Sequence, residues 1–455
     1  MNFEYLNSLL SERKYSALVK ELYEMNAVDA ADFLAIVSDE DLPKVFRMLK
    51  KGIAAEIFAE LESDTQEKII HVFSDQEFSK ILDQLYIDDV MDMLDELPAN
   101  VVDRIIKNAD KQTRAEINRF LKYEEDSAGS VMTSEFVRIR ASMTVADAVS
   151  CIRRVGAHKE TVYVVYVTDN ARVLKGTIEL RDLLFAKEDD IIEDIMEKSV
   201  ISALTTDHQE EVAQKIAKYD LLALPVVDSE DRLVGIVTVD DALDVIEEEA
   251  TEDIEIMSAI LPSDKPYLKT SIFETWKQRI PWLLLLMISA TFTSAIITGY
   301  EGKLHTGGAL GIILTAFIPM LMGTGGNAGG QSSSTIIRSL SLGEVRMGNI
   351  LRVLWKELRV SILCGVTLAV ASFIKTLVLD FRCDFSPQNI NVSIVVSLTL
   401  FATVIMAKLV GSSLPILAKR IGLDPAVMAS PFITTIVDAI SLLIYFAIAS
   451  ALLLS

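Results

Sequence analysis

The chain has 455 residues, 51% of them hydrophobic, and a formal net charge of −22. Residues 1–260 hold 28 Lys and Arg against 56 Asp and Glu, whereas residues 261–455 hold 15 against 9. An acidic, water-soluble part is therefore joined to an apolar part with a slight basic excess, which excludes nucleic acid as a partner and favours cations. Cys151, Cys364 and Cys383 are widely spaced, which argues against a disulfide scaffold or a thiolate metal site. His71, His158, His208 and His305 form no metal-binding motif.

Residues 1–125 read as an acidic helical domain. Segments such as DLPKVFRMLKK, GIAAEIFAEL, TQEKIIHVF and ANVVDRIIKN place apolar residues at helical spacing, punctuated by Pro, Gly, Ser or Asp. Helices this short are marginal alone, so they are expected to stack as a helical solenoid. The opening MNFEYLNSLLSERK lacks a sustained apolar core, so no signal peptide is expected.

An internal repeat follows, with its copies expected at 126–189 and 190–246. Each copy begins with Met and a β-rich run, VMTSEFVRI and IMEKSVISA, and continues into an amphipathic helix. Each ends in strand, turn, strand, helix, and Asp169, Gly176 and Asp182 align with Asp228, Gly235 and Asp241 at a constant offset of 59. This pair resembles tandem CBS repeats, an α/β regulatory module, and that resemblance implies an adenine nucleotide such as ATP, or another small molecule, as a ligand. Glu179 stands where a nucleotide-binding repeat usually has Ser or Thr, whereas GIVTVDD keeps Thr238 and Asp241. The nucleotide is therefore expected at the second repeat.

The densest charge run is DDALDVIEEEATEDIE, residues 240–255, with nine acids and no base. Without Gly or Pro it is expected to be helical toward Ile260, until Pro262 and Pro266 break it. Residues 247–278 are read as a connecting helix and linker.

Residues 279–455 read as a membrane domain with five apolar spans of about 20 residues each. They are expected at PWLLLLMISATFTSAIIT, from GGALGIILTAFIPMLMGTGG onward, and near 360–379, 392–417 and 427–454. Lys277 and Arg279 precede the first span. Arg338, Arg346, Arg352, Lys356 and Arg359 follow the second, and Lys419 and Arg420 follow the fourth. The positive-inside rule places these loops, and with them the N-terminus, in the cytoplasm of a cell (inner or plasma) membrane; an odd number of spans leaves the C-terminus outside.

Two features inside the spans point to ions. PMLMGTGGNAGGQ, with Pro319 and five glycines, is expected to break its helix and free backbone carbonyls, as broken helices do at membrane ion sites. The other reading is close helix packing through small residues. Asp438, in PFITTIVDAISLLIYF, is an acid deep in the last span, costly unless paired, protonated or ion-bound. A carboxylate, carbonyls and the amide of Asn327 make an all-oxygen site suited to Mg2+, Ca2+ or Mn2+. Mg2+ keeps several waters, so one acid suits a hydrated ion. Lys408 also lies mid-span and is expected to face away from the ion, pair with an acid or reach an interface.

Taken together, PMLMGTGGNAGGQ, TTIVD, the CBS-like pair, the TVDDALDVIEEEATEDI run and the helical N-terminal body resemble the MgtE family of magnesium transporters over nearly the whole chain. The resemblance implies a homodimeric Mg2+ channel in a lipid bilayer, five spans per subunit, with a plug helix and a Mg2+-sensing soluble part. Its pore positions fall on Asp438, Asn327, Gly325 and Gly326. Its regulatory metal positions fall on Asp241, Asp244, Glu249, Glu252 and Asp253, on Glu210, Ala217 and Asp220 of the second repeat, and on Glu56, Asp88 and Asp92 of the helical body. No enzyme activity is expected, because the spans offer no His and no second acid near Asp438.

Like charges alone suggest a gate. Two carboxylates ~4 Å apart repel by about 4 kcal/mol at an effective dielectric near 20. A gate driven from 1:99 to 99:1 needs ~5.5 kcal/mol of differential binding, which a few bridging Mg2+ ions could supply. Bound Mg2+ would then favour a closed form. The alternative reading is a nucleotide-sensing membrane receptor with a non-conducting anchor, which liposome flux distinguishes.

Overall fold

A computed structural model describes residues 3–263, 267–268, 270–306 and 309–453. Asp264, Lys265, Pro266 and Lys269 of the expected connecting segment lie outside the described residues, as do Gly307 and Gly308 of the second span and Leu454 of the fifth. The chain divides into two compact units, Met1–Glu247 and Glu248–Ser455.

In the first unit, among the described residues, ten helices of six to ten residues run from α1 (Phe3–Ser11) to α10 (Lys111–Phe120). In α8 (Ile87–Glu96) the buried residues include Ile87, Val90, Met91 and Leu94, one apolar stripe at helical spacing. Side chains close the helix ends: Ser74 and Glu77 form a reciprocal capping box on α7 (Asp75–Leu82), and Asp110 accepts from the Thr113 amide at the start of α10. Edge-to-face contacts link Phe46 to Phe58 and Phe58 to Phe78 along the array. The same core runs on into Ala203, Val212, Leu224 and Val237 of the second repeat and takes in Met132, which leads the first, so the helices and the second repeat are packed as one body.

The two repeats build matching three-stranded sheets. The first contains β1 (Arg138–Arg140), β2 (Val164–Thr168) and β3 (Leu174–Glu179), with helices α11 (Val145–Val155) and α12 (Leu180–Phe185). The second contains β4 (Ala203–Leu204), β5 (Ala223–Val227) and β6 (Leu233–Thr238), with α13 (Ile192–Ile195) and α14 (Gln209–Tyr219). In each, a parallel pair is followed by a hairpin, and Val167 opposite Gly176 matches Val226 opposite Gly235. The sequence offset is thus a structural offset. A β-carbon on Gly176 would collide with Met196, and one on Gly235 with Met132, so each repeat's hairpin receives the other's leading methionine.

Helix α15 (Val239–Met257) carries the acidic run and ends at Met257, short of Ile260; Ala259 follows with a left-handed φ of 57°. Among the described residues the second unit has five helical segments long and apolar enough to cross a membrane, Ile272–Gly302, Leu310–Ser341, Ile350–Asp380, Pro387–Arg420 and Pro425–Leu452. Their helices are α16 (Ile272–Thr306), α17 (Ala309–Ala316), α18 (Ile318–Ser341), α19 (Ile350–Lys375), α20 (Pro387–Arg420) and α21 (Ser430–Leu452). The architecture is therefore an all-α helical array, an α/β pair of CBS-like repeats and a five-span α-helical membrane unit.

One expectation is corrected. The Gly-rich stretch does not break its helix: Pro319 to Gln331 lies within continuous α18, and the interruption falls earlier, at Phe317. Pro319 sits in the first turn, where the amide it lacks has no helical partner to lose. At the break the Leu314 carbonyl accepts from the Phe317 amide at 3.2 Å and from the Tyr445 hydroxyl at 2.7 Å. The glycines serve close approach instead. A β-carbon on Gly325 would meet Thr403, Ser441 and Val437; on Gly326, Thr434; and on Gly411 of α20, the backbone of Gly329.

Candidate ion pathway and metal centre

In the membrane unit, α21 lies against the glycines of α18. Thr434 and Ser441 are the contact residues at Gly326 and Gly325. Asp438 is four residues after the first and three before the second, on the same stripe of the helix. Asp438 is half-buried, and its Oδ1 is buried without a hydrogen-bond partner among the described residues. Its flanking residues Thr435, Ile436, Ala439 and Ile440 line an apolar cleft of about 580 Å³ together with Phe292 and Ile296 of α16. Gly325 and Gly326 are buried at the α21 contact, whereas Asn327 is exposed on α18.

Lys408 has the opposite surroundings. It is 7% exposed, and its Nζ donates to Ser332 Oγ at 3.3 Å. The Ser332 hydroxyl donates in turn to Glu357 Oε2 at 2.7 Å. Lysine and acid are therefore joined through a hydroxyl across α20, α18 and α19. Lys408 is thus linked to an acid through the Ser332 hydroxyl, in keeping with one of the three arrangements expected for it.

In the first unit, α8 and the start of α15 bring carboxylates together. Asp88 is 8% exposed and accepts one hydrogen bond from the Asp89 amide at 3.1 Å. Burial, then the charges of Asp89, Asp241 and Glu160, push its carboxyl well above the ordinary carboxylate range. Asp89 is pushed to about 6, mainly by burial, and Glu160 to about 7 by burial and then by Asp89 and Asp241. Asp241 is raised by burial against the opposing effect of Thr238, whose hydroxyl and amide both donate to its Oδ2. Crowding of this kind would suit a divalent cation, because such an ion would remove the repulsion that the acids add to the cost of their burial. Thr238, expected at a nucleotide, has its hydroxyl engaged by Asp241.

The remaining expected metal positions are more dispersed. Asp244 is raised by burial and by Asp240 and Glu247. Glu56, Ala217 and Glu252 are exposed. Glu210 accepts from the Gln214 amide at 3.0 Å, and Asp220 caps α14 in the left-handed conformation, φ 52°. In the second unit, Asp253 accepts from Ser341 at 3.1 Å, and burial raises its carboxyl, with Asp424 adding repulsion. Asp89 and Glu160 were not anticipated. Asp89 had a signal, as the neighbour of Asp88; Glu160 lies outside any regular helix or strand and had none.

Comparison with known proteins gives the family. The MgtE divalent cation transporter family matches residues 318–448, the MgtE intracellular N domain matches 25–126, and CBS domains match 128–189 and 192–248. The magnesium transporter MgtE of Thermus thermophilus is 38% identical over 98% of both chains. That of Bacillus subtilis is 31% identical over 97% of this chain and 95% of its own. Among solved structures, the cytosolic domain of the Mg2+ channel MgtE in complex with ATP is similar at TM-score 0.50 and 38% identity, covering 53% of this chain and 98% of that one. The soluble part of a magnesium transporter is similar at TM-score 0.52 and 33% identity, covering 55% and 98%. A continuous match of this length, through every part of the chain in the same order, means that this protein belongs to the MgtE family of magnesium transporters.

Proposed function

We propose that this protein carries Mg2+ across a cell membrane as a homodimeric channel and that cytosolic Mg2+ shuts it. The observation that carries the reading is Asp438, whose buried carboxyl oxygen has no partner among the described residues of the membrane unit. A hydrated divalent cation supplies what that oxygen lacks, and the water it retains makes a single acid sufficient. Asn327, exposed on α18, is the second candidate contact; Gly325 and Gly326 act by letting α18 and α21 approach. The soluble unit, assigned to the cytoplasm by the positive-inside rule, senses the same ion through Asp88, Asp241 and Asp244. Glu56, Asp92, Glu210, Ala217, Asp220, Glu249, Glu252 and Asp253 are further regulatory ligands, and the 247–278 segment is the plug. An adenine nucleotide, the ligand of one similar solved domain, is the proposed cofactor of the CBS-like pair.

The test is Mg2+ flux into liposomes holding the purified protein. Asp438→Ala is expected to reduce flux to background while the protein stays folded and dimeric. Undiminished flux in that variant sinks the pore assignment. Neutralising Asp241, Asp244, Glu252 and Asp253 together is expected to keep the channel open at millimolar Mg2+, and unaltered Mg2+ sensitivity sinks the gate.

A further inference from the structure

The first CBS-like repeat holds a cleft that neither the pore nor the carboxylate cluster uses. Arg138, Arg140, Met143, Thr168, Asp169 and Arg172 are among the residues lining a polar cleft of about 160 Å³ at the hairpin end of its sheet. Among the described residues, none of the three guanidinium groups has a carboxylate within salt-bridge reach or a hydrogen-bond partner, although acids outnumber bases two to one in residues 1–260. The acid that lines the cleft is already engaged. Asp169 Oδ1 accepts from the amides of Ala171 at 2.8 Å and Val173 at 3.0 Å, and Oδ2 lies 3.6 Å from Lys175. The arginines are close enough to repel: after burial, the charges of Arg172 and Arg140 hold Arg138 below its usual range.

The second repeat is an internal control. Ile139 pairs with Val167 as Ala203 pairs with Val226, and Thr168 faces Leu174 as Val227 faces Leu233. On that register the counterparts of Arg138, Arg140 and Arg172 are Ser202, Leu204 and Asp231. Arg172 and Asp231 share the left-handed conformation, φ 71° and 57°. Asp is among the residues that favour that conformation and Arg is not. The fold therefore does not ask for these arginines, since the same backbone is built without them.

We propose that the Arg138–Arg140–Arg172 cleft binds a phosphate-bearing anion. Guanidinium forks match phosphate oxygens in pairs, and an anion removes the repulsion among three unpaired cations. The bound anion ties β1 to the β2–β3 turn. That turn is bonded to the second repeat, through Leu174 N to Asp231 O at 3.0 Å and Leu233 N to Arg172 O at 2.9 Å, so occupancy stiffens the contact between repeats. The tail of a nucleoside triphosphate and a free inorganic polyphosphate offer the same chemistry. This inference does not depend on the transport reading.

The experiment is equilibrium binding to the full-length protein in detergent with divalent cations chelated, using sodium tripolyphosphate, ATP and adenosine as probes. Tripolyphosphate is expected to bind, to weaken at least tenfold in Arg140→Gln/Arg172→Gln, and to weaken with added salt. Adenosine is expected not to bind this site. If ATP alone binds and the Gln pair weakens it, the nucleotide is the source of the anion and the site stands. If tripolyphosphate binds equally to the parent and the Gln pair, or if neither phosphate binds, the proposal is overturned, whatever ATP does at the second repeat. Should the Gln pair not fold, Arg140→Lys/Arg172→Lys decides: it keeps the charge and loses the forks, and unchanged tripolyphosphate binding in it also overturns the site.

Discussion

Carboxylates are crowded around Asp88 in the first unit, whereas Asp438 stands alone in its apolar span, and under the proposed function the two arrangements take a cation for different reasons. Around Asp88 the acids face one another, and part of the free-energy cost is mutual repulsion that one shared ion could relieve. At Asp438 the difficulty is a missing partner: a buried oxygen with no donor among the described residues. The membrane unit shows that such a group can be satisfied, because Lys408 is buried more deeply yet is linked through Ser332 to Glu357. The difference separates a charge tied to neighbouring helices from an acid with no such tie among the described residues.

The largest stability effect should fall on the satisfied charge. Lys408→Met leaves Glu357 and Ser332 without their cation, and breaking a buried pair costs about 3–5 kcal/mol; the lower end applies because Glu357 is only half-buried. The double variant Lys408→Met/Glu357→Gln should recover part of that loss. Asp438→Asn should leave stability equal or higher while removing flux. Unfolding by heat or denaturant in detergent checks all three. A Lys408→Met variant as stable as the parent would break the contrast between the two charges.

The contrast also requires α18 to lie close against its neighbours. A methyl group at Gly411 meets the backbone of Gly329, which has no flexible side chain to yield. Gly411→Ala is expected to cost about 1–3 kcal/mol through overpacking. Gly323 is the matched control on the same Gly-rich helix, with nothing within 4 Å of its β-carbon position. There Ala should stabilise the helix by up to about 1 kcal/mol. Equal effects at the two glycines would show that helix propensity rather than close packing governs this region.

Much of this architecture was legible in the residues. The stripe Ile87, Val90, Met91, Leu94 is periodic, the 59-residue offset of the repeats survives as a hairpin register, and five apolar spans announce themselves by length. The Gly-rich stretch misled for a physical reason. Gly and Pro break helices in water, where solvent competes for the backbone; in a bilayer the helix satisfies its own amides, and lacking a β-carbon becomes an asset. Side-chain partnerships were less readable. Glu160 reaches Asp241 only through the tertiary fold, and Lys408 finds Glu357 through a serine on a third helix. The unpaired arginines are visible only once β1 lies beside the β2–β3 turn.

The soluble cluster gives the smallest effect and the one with a sign. Asp88, Asp89, Glu160 and Asp241 all ionise above the ordinary carboxylate value, with burial the first cause. The folded cluster therefore keeps protons that the unfolded chain releases from about pH 4 upward. Without divalent cations, its contribution to stability is greatest below that pH. It is lost as pH rises through about 6 for Asp89 and about 7 for Glu160, and is level above. Partial exposure of these two groups limits the loss to about 1–2 kcal/mol. Calorimetry of the whole chain in detergent should show a shallower decline across this window in Asp89→Asn/Glu160→Gln. Magnesium should flatten the parent's curve and release protons near pH 6, because it binds the ionised acids. An identical slope in parent and variant, with no proton release on adding magnesium, would mean that the crowded acids are only a solvated surface and that the two regions differ in number alone.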